Sequence, residues 1–296
     1  MVHTTDKRLT KNLSMSRIKE IVNILYPNQG YNHDFVHNSS KCRDCDGIPK
    51  VENAGELVEV NGDKCIVMHN GVMVYEGSYH TQWMTDTIKN LKGHHEPQEE
   101  KLFYEILKYI EPNSLMIECG SFWAYYSLWF HKEIEGAKNI LIEPNPYKCE
   151  ISQLNFKLNN FDGTFINGYI SNTSADESFF TDWDGKEYKI KKVSIDPLFE
   201  KYNLDRIHIL HADIQHHEMQ LLMGASNSLK NELIDFVFLG THSDNKKFKD
   251  YLQTFGYEIL CDFEVNQSFA DDGLIVACSP TIHKKINLNN FIVSKK

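Results

Sequence analysis

A strand, a turn, a helix and a second strand follow one another within residues 115–146, and this order constrains the fold more than any other feature. The first apolar run ends at Glu118 and Gly120, an amphipathic helix follows, and the next apolar run ends at Glu143. This arrangement is typical of the nucleotide-binding half of a doubly wound α/β fold, in which ligands lie at the carboxyl ends of the strands. The sequence therefore predicts a parallel sheet and the position of a ligand.

Apolar runs with strand and helix periodicity continue this pattern to the end of the chain. The predicted strands cover 114–119, 139–143, 163–170, 206–213, 233–241, 257–264 and 273–279. The predicted helices cover 124–134, 147–159, 196–202, 217–230 and 245–255. Because no helix separates the last two strands, they are expected to pair antiparallel. The sequence predicts an α/β, Rossmann-like class I methyltransferase fold, with a seven-stranded, mostly parallel sheet whose last strand is antiparallel.

The first part of the chain lacks this alternation. Residues 1–95 are predicted to form a small N-terminal α+β module, and 96–296 the main domain. The predicted elements of the module are a helix over 18–25, a loop over 28–50, a β-hairpin with a third strand over 56–75 and a short helix over 82–92. Ser14 or Ser16 is the expected N-cap of the first helix.

Charge and cysteine content limit the partners and the cellular compartment that we expect for this chain. The formal net charge of −10 argues against non-specific binding to nucleic acid or anionic membranes. The apolar runs are too short for a membrane span, and the N-terminus lacks the apolar core of a signal peptide. Seven cysteines, an odd number, indicate reduced thiols in the cytoplasm. Cys42 and Cys45 form a lone CxxC with His33 and His37 upstream; free thiols are expected, since a zinc site needs a second ligand pair.

The first crevice has the chemistry of a nucleoside pocket. Gly120 lets the backbone approach a ligand, Glu118 can accept hydrogen bonds, and Glu143 is suited to ribose hydroxyls. Phe122 and Trp123 crowd the turn, which suits a pyrophosphate poorly because that group needs open backbone amides. S-adenosylmethionine has no phosphate and carries a positive sulfur, so it fits an acidic pocket better. The alternative is a strand–turn–helix unit that only packs.

Several segments, in a characteristic order and spacing, carry a resemblance to a known family. They are residues 118–121 with 125–128, 142–146, 193–196, 211–215 with Glu218, and 238–243. Together they resemble FkbM-type S-adenosylmethionine-dependent O-methyltransferases over about residues 96–280. The resemblance implies a hydroxyl acceptor, on a saccharide or nucleotide-activated sugar for surface glycan synthesis. It also assigns Ser121 to the cofactor site, and Glu96 or Gln98 to the methionine end of the cofactor, unless these two only cap a helix.

Three places depart from the family pattern. The family usually has glycine where Ala124 stands, and aspartate where Glu118 stands. It also usually has a glycine before Glu218, where this chain has His216 and His217. The two histidines are expected either to line the acceptor pocket or to be solvated loop residues.

Methyl transfer to an alcohol requires alignment of the reacting atoms and removal of the hydroxyl proton. Asp213 and His242 follow the fourth and fifth strands, and neighbouring strands lie ~4.8 Å apart. His242 is the predicted general base because its unperturbed pKa is ~6.5. Asp213 is predicted to orient His242, or to contact the cofactor or the acceptor hydroxyl.

A divalent metal is a competing role for the same region. Asp213, His217, Glu218 and His242 are suitable ligand types, and some sugar O-methyltransferases of this fold bind a metal there. A metal is possible but not favoured. Trp123 is the tryptophan predicted to contact the substrate, whereas His211 is expected to be a core histidine with its hydrogen bonds satisfied.

The leading hypothesis is a cytoplasmic S-adenosylmethionine-dependent O-methyltransferase. Its N-terminal module would cover the acceptor side of the site or form a homo-oligomer interface. The first alternative is a non-catalytic binding module on a degenerate methyltransferase fold, motivated by Ala124 and the histidine pair. A weaker one is a nicotinamide-dependent oxidoreductase, disfavoured by the bulky turn.

Overall fold

The computed structural model describes residues 17–28, 30–181 and 185–296. The proposed caps Ser14 and Ser16 lie outside these ranges. Within the described residues, no helix is both long enough and apolar enough to cross a bilayer.

Twelve strands and eleven helices are described, together with two short 3₁₀ segments at Val265–Gln267 and Leu288–Asn290. The strands are β1 (Leu57–Val60), β2 (Asp63–Val67), β3 (Met73–Tyr75), β4 (Leu115–Cys119), β5 (Lys138–Glu143), β6 (Thr164–Ile170), β7 (Ala175–Thr181), β8 (Glu187–Val193), β9 (Ile207–Ala212), β10 (Ile234–Thr241), β11 (Glu258–Phe263) and β12 (Gly273–Cys278). The helices are α1 (17–25 in its described part), α2 (His33–Ser39), α3 (Gln82–Asn90), α4 (Pro97–Leu107), α5 (Tyr125–Glu133), α6 (Pro146–Leu158), α7 (Asp196–Tyr202), α8 (Glu218–Gly224), α9 (Ser226–Lys230), α10 (Lys246–Gln253) and α11 (Pro280–His283).

A nine-stranded sheet forms the centre of the molecule, in the order β11-β12-β10-β9-β4-β5-β6-β8-β7. The strands from β10 to β8 in this order pair parallel, whereas β12 is antiparallel to both β10 and β11. Strands β5, β6 and β8 lie on one side of β4, whereas β9 and β10, which follow them in sequence, lie on its other side. This change of side makes the boundary between β4 and β9 a switch point, and a switch point opens a crevice at the carboxyl ends of the strands. The predicted fold class is therefore confirmed, with two strands added at one edge.

The central strands are buried on both faces, as parallel strands between two helix layers must be. Every residue of β4 and of β10 is buried. Along β4, Met116 belongs to one apolar cluster and Ile117 to the other, because successive side chains point to opposite faces of the sheet. These apolar layers hold the strand ends, and the polar residues that follow them, in fixed positions.

The two added strands form a hairpin, β7–β8, at the edge of the sheet. β8 pairs parallel to β6, and β7 pairs antiparallel to β8. Most residues of β7 are exposed, so the segment carries no apolar alternation from which a strand could be predicted. Backbone pairing rather than burial defines this hairpin.

The N-terminal module packs directly on the main domain. β1, β2 and β3 form a separate antiparallel sheet, as predicted. The side chain of Asn159 on α6 accepts from Met73 N and donates to Met73 O, and Asn155 accepts from Tyr75 N. The predicted loop over 28–50 is wrong in part, because Asn32 caps the helix α2. Both parts share one apolar core, so the boundary near residue 95 stays a prediction about chain organisation.

The carboxyl ends of β4 and β9 are in direct backbone contact. Asp213 N donates to Cys119 O at 3.1 Å, and Gly120 N donates to Ile142 O at 2.8 Å. Gly120 has φ +77°, and a Cβ built there would lie 1.8 Å from the carbonyl oxygen of Asp213. Three strands therefore converge on a position that only glycine can occupy.

We expect Gly120→Ala to lower the free energy of unfolding by about 1 kcal/mol through its positive φ and by roughly 1–3 kcal/mol more through the collision. Gly62→Ala is a matched control, since Gly62 has φ +91° but no atom within 4 Å of the place that a Cβ would take. Chemical denaturation of both variants measures the difference. Equal destabilisation of the two would contradict a collision at the junction of the strands.

Candidate active site

A cavity of about 640 Å³ lies at the carboxyl ends of β4, β5 and β9. The end residues of these strands line it, as does the turn after β4. One side is closed by the start of α4 and by residues of the N-terminal module, and the opposite side by the β7–β8 hairpin. The cavity thus occupies the crevice that the topology predicts for a ligand.

The turn after β4 is held in an unusual backbone conformation. Phe122 has φ +39° and Ala124 has φ +65°. Ala124 occupies the N-cap position of α5 in the left-handed region, which costs a non-glycine residue about 1–2 kcal/mol. Ser121 lines the cavity, and its hydroxyl lies 3.1 Å from the hydroxyl of Ser152. A positive φ at this position favours glycine, the residue that the resemblance to the family pattern predicts there.

Glu118 and Glu143 both line the cavity and are almost fully buried. Glu118 accepts from the backbone N–H of Ser127 at 3.1 Å. Burial, with a smaller effect from Glu143, raises the pKa of Glu118 to about 8. The carboxylate of Glu143 accepts from Phe122 N at 3.1 Å and from Asn145 N at 2.9 Å. These contacts fix the positions of the two carboxyl groups at the cavity wall.

The start of α4 adds two more acids to the cavity wall. Glu96 lies 3.0 Å from His95 Nε2, and Glu99 lies within 3.4 Å of the hydroxyl of Tyr126. Burial and the neighbouring Glu96 raise the pKa of Glu99 well above its usual range. Gln98 does not face this cavity: it donates to Ser294 O and accepts from Phe269 N. Of the two residues proposed for the methionine end, only Glu96 is in a position to contact a ligand there.

Three carboxylates surround His242 at the end of β10. Its Nδ1 lies 2.6 Å from Glu218, and its Nε2 lies 3.0 Å from Asp272 and 3.4 Å from Asp213. Although burial opposes it, hydrogen bonds to Asp272 and Glu218 raise the pKa of His242 to about 10. The surrounding protein, which limits solvation even though the side chain opens to the cavity, and the charge of Asp272 raise the pKa of Asp213 to about 7. A pKa this far above neutral favours the protonated form of the His242 ring at neutral pH.

Asp213 and His242 also differ in their access to the cavity. Asp213 lines it, with a side chain that is 42% exposed, whereas His242 is not among the described residues that do so. Ligand atoms of Asp213, His242 and Asp272 lie within 4.8 Å of one another, which is close enough for a divalent cation. A protonated His242 ring would balance the charge of the two carboxylates without a cation.

His211, His216 and His217 are also among the histidines that line the cavity. Gln215 and His216 have φ +48° and +72°, so the chain makes a left-handed turn just before Glu218. His217 lies beside Tyr169, with ring centroids 6.2 Å apart. His211 was expected to be satisfied, but within the described residues neither of its ring nitrogens has a hydrogen-bond partner. Burial lowers the pKa of His211 to about 3, so its ring is neutral.

Aromatic and basic side chains also line the cavity. Trp123 lines the cavity and stacks on Tyr79 of the N-terminal module, with ring centroids 4.5 Å apart. Lys148 lies 4.6 Å from the centre of the Phe122 ring. The β7–β8 hairpin and the adjoining part of β6 contribute further aromatic and basic groups. They are Tyr169, Phe180, Lys186 and Tyr188.

The structure brings almost the entire predicted site together. The predicted residues that line the cavity are Glu96, Glu118, Gly120, Ser121, Trp123, Glu143, Asp213, His216 and His217. Sequence reasoning missed Glu99 and Asp272. Glu99 lies in the acidic first turn of a helix that was predicted, but nothing in the pattern distinguishes it from its neighbours. Asp272 precedes β12, far from its partner His242 in the sequence, and no spacing rule connects them.

Some solved structures are similar to this chain, although none of the curated proteins matches it. TrmK of M. capricolum, solved with S-adenosylhomocysteine, is 11% identical, with 60% of this chain and 67% of that chain covered and a TM-score of 0.41. Magnesium protoporphyrin IX methyltransferase of Synechocystis PCC 6803 is 10% identical, with 62% and 77% covered and a TM-score of 0.41. The strand order, not these alignments, carries the assignment of the fold.

The family model of the methyltransferase FkbM domain matches residues 106–261. This span runs from the end of α4 into β11 and contains Gly120, Glu143, Asp213 and His242. It takes in more than half of the chain and all the strand ends that build the cavity. With the strand order and the crevice geometry in agreement, the chain belongs to the FkbM methyltransferase family.

Proposed function

We propose that this protein is an S-adenosylmethionine-dependent O-methyltransferase whose acceptor is a sugar-like hydroxyl compound. The observation that carries the proposal is the position of Asp213. Its backbone lies against Gly120 at the switch point, and its side chain enters the cavity between the acidic wall and the β7–β8 hairpin. A carboxyl group there can serve a hydroxyl that approaches the donor crevice.

The residues of the acidic wall fit the proposed cofactor. Glu118 and Glu143 present carboxyl groups at the ends of adjacent strands, where an adenosine ribose can be held by bidentate hydrogen bonds. Glu96, Glu99 and Asp213 add carboxyl groups beside them, whose ionised forms a cationic sulfur and an ammonium group would favour. The backbone N–H of Phe122 donates to Glu143, so it is not available to a pyrophosphate.

The opposite wall fits a polar, hydroxylated acceptor. Tyrosine and histidine side chains offer both donors and acceptors, and aromatic faces such as that of Trp123 suit the apolar faces of a sugar ring. Lys148 and Lys186 are the lysines among the described residues that line the cavity. Their positive charge supports an acceptor with an anionic group, such as the diphosphate of a nucleotide-activated sugar.

Bound S-adenosylmethionine would supply an electrophilic methyl carbon. The acceptor oxygen forms a bond to this carbon as the carbon–sulfur bond breaks, and the bonding electron pair leaves with sulfur. Asp213 takes the hydroxyl proton, because its pKa of about 7 lets it ionise at neutral pH and accept a proton. His242, predicted to be the base, is instead proposed to hold the Asp213 carboxylate in place and to stabilise its charge.

The alternative of a binding module without activity makes a different prediction about these groups. A module without activity does not require an acid at the switch point. In such a module, the strained turn at His216 would have no function. The net charge of −10 supports the expected absence of a nucleic-acid partner. A cytoplasmic location remains part of the proposal, as does a homo-oligomer formed through the N-terminal module.

Glu143→Gln is expected to weaken S-adenosylmethionine binding by roughly 10-fold or more, because one hydrogen bond to a charged group is worth about 1.5–3 kcal/mol. Isothermal titration calorimetry with S-adenosylmethionine measures the dissociation constant. Glu133→Gln, on the exposed side of α5, is the matched control and should bind normally. An unchanged dissociation constant in Glu143→Gln would remove this residue from the ribose site, and absence of binding by the unaltered protein would sink the proposed cofactor.

Asp213→Asn is expected to retain cofactor binding within a few-fold but to lower kcat by about 10²-fold or more, the typical contribution of general base catalysis. In the unaltered enzyme, activity should rise as pH increases through about 7, since the ionised carboxylate is the active form. Methyl transfer to a panel of nucleotide sugars, followed by mass spectrometry, provides the assay. Retention of kcat in Asp213→Asn would rule out this residue as the base.

His242→Gln is expected to move the rising limb of the pH profile to higher pH, because the positive ring lowers the pKa of Asp213. The same assay, run between about pH 6 and about 9 for both proteins, measures the shift. A limb that disappears without moving would restore His242 as the base. Loss of activity on chelation, reversed by Mg²⁺, would assign the Asp213, His242 and Asp272 cluster to a cation instead.

A further inference from the structure

The lone CxxC motif meets a second set of ligand-type side chains in the folded protein. Cys45 lies in the turn after α2, whereas His94 and Glu100 flank the start of α4. Ligand atoms of these three residues lie within 4.8 Å of one another, and all three residues are buried. We propose that Cys45, His94 and Glu100 bind one zinc ion, with Cys42 as the fourth ligand.

His94 supplies an independent sign of a missing ligand. The residue has no exposed surface, its Nδ1 lies against Glu100, and within the described residues its Nε2 has no hydrogen-bond partner. A buried imidazole nitrogen without a partner costs about 1–3 kcal/mol. No hydroxyl or backbone group of the described residues partners this nitrogen, and a bound metal ion would do so.

The ligand types select zinc among the common ions. A thiolate disfavours Mg²⁺ and Ca²⁺, which take oxygen ligands, and a set of sulfur, nitrogen and oxygen donors is typical of tetrahedral Zn²⁺. Cys42 is 2% exposed and is separated from Cys45 by two residues, the spacing of zinc-binding turns. Its Sγ lies outside the group of three, so its side chain must turn inward to complete the tetrahedron.

Neighbouring groups already orient the proposed ligands. Glu100 accepts from the backbone N–H of His95 at 2.7 Å and from the hydroxyl of Tyr125 at 3.0 Å. His69 stacks on His94, with ring centroids 4.3 Å apart, and hydrogen-bonds to the same Tyr125 hydroxyl. Hydrogen bonds of this kind fix ligand orientation around metal ions.

Zinc at this position would connect the N-terminal module to the active site. His95 and Glu96 line the cavity and lie between the ligands His94 and Glu100 in sequence. An ion that holds both ligands would immobilise the connecting segment. The assignment of the metal site itself does not depend on the proposed methyl transfer.

Metal analysis of the full-length protein, purified without chelators, tests the proposal. We expect close to one zinc per chain, and tenfold or greater loss in Cys45→Ser and in His94→Ala. Cys65→Ser is the matched control, because Cys65 is a buried free thiol of β2 outside the cluster, and it should keep its zinc. Unaltered protein without zinc, or full zinc in Cys45→Ser, would overturn the site, and full zinc in Cys42→Ser would overturn the fourth ligand.

Cobalt substitution provides a second measurement that does not require activity or altered folding. Unaltered protein stripped of zinc and loaded with Co²⁺ should show a thiolate-to-metal charge-transfer absorption and the intense visible bands of a tetrahedral site. The absorption should be much reduced in Cys45→Ser and unchanged in Cys65→Ser. Cobalt-loaded protein without any charge-transfer absorption would rule out thiolate ligation, whatever the cofactor-binding experiments give.

Discussion

The contact between Gly120 and the Asp213 carbonyl is the constraint on which the site depends. It brings the ends of β4 and β9 so close that no side chain fits between them. The same contact sets the crevice at the switch point and directs the Asp213 side chain into it. The strand ends that line the cavity are therefore held by one backbone junction, and the position of the crevice follows from how the sheet is built.

Much of the main domain could be predicted because its signals are local. Continuous apolar runs such as β4 predict buried strands, and glycine and acids at strand ends predict a ligand crevice. The departures from the family pattern also correspond to a feature of the backbone. Ala124 and His216 stand at places where the resemblance predicts glycine, and the structure gives both a positive φ. Both residues adopt this backbone conformation at a cost in strain.

The parts that sequence reasoning missed depend on long-range contacts or lack periodicity. β7 is mostly exposed, so its strand is defined by pairing with β8. The protonation of His242 is set by Asp272, a residue of a distant loop. The CxxC motif lacked a second ligand pair in the sequence because His94 and Glu100 lie far along the chain from it. Folding, rather than spacing, brings each of these groups together.

The edge position of the β7–β8 hairpin has a consequence for how relatives could diverge. The hairpin lines the cavity on the side that we propose for the acceptor, yet most residues of its outer strand β7 are exposed. Substitutions on such a surface usually change stability by less than about 0.5 kcal/mol. Acceptor preference can therefore drift through neutral changes in the hairpin, while the donor crevice, built on buried strand ends, tolerates almost none. In this architecture, substitutions could change the acceptor without changing the residues proposed to carry out methyl transfer.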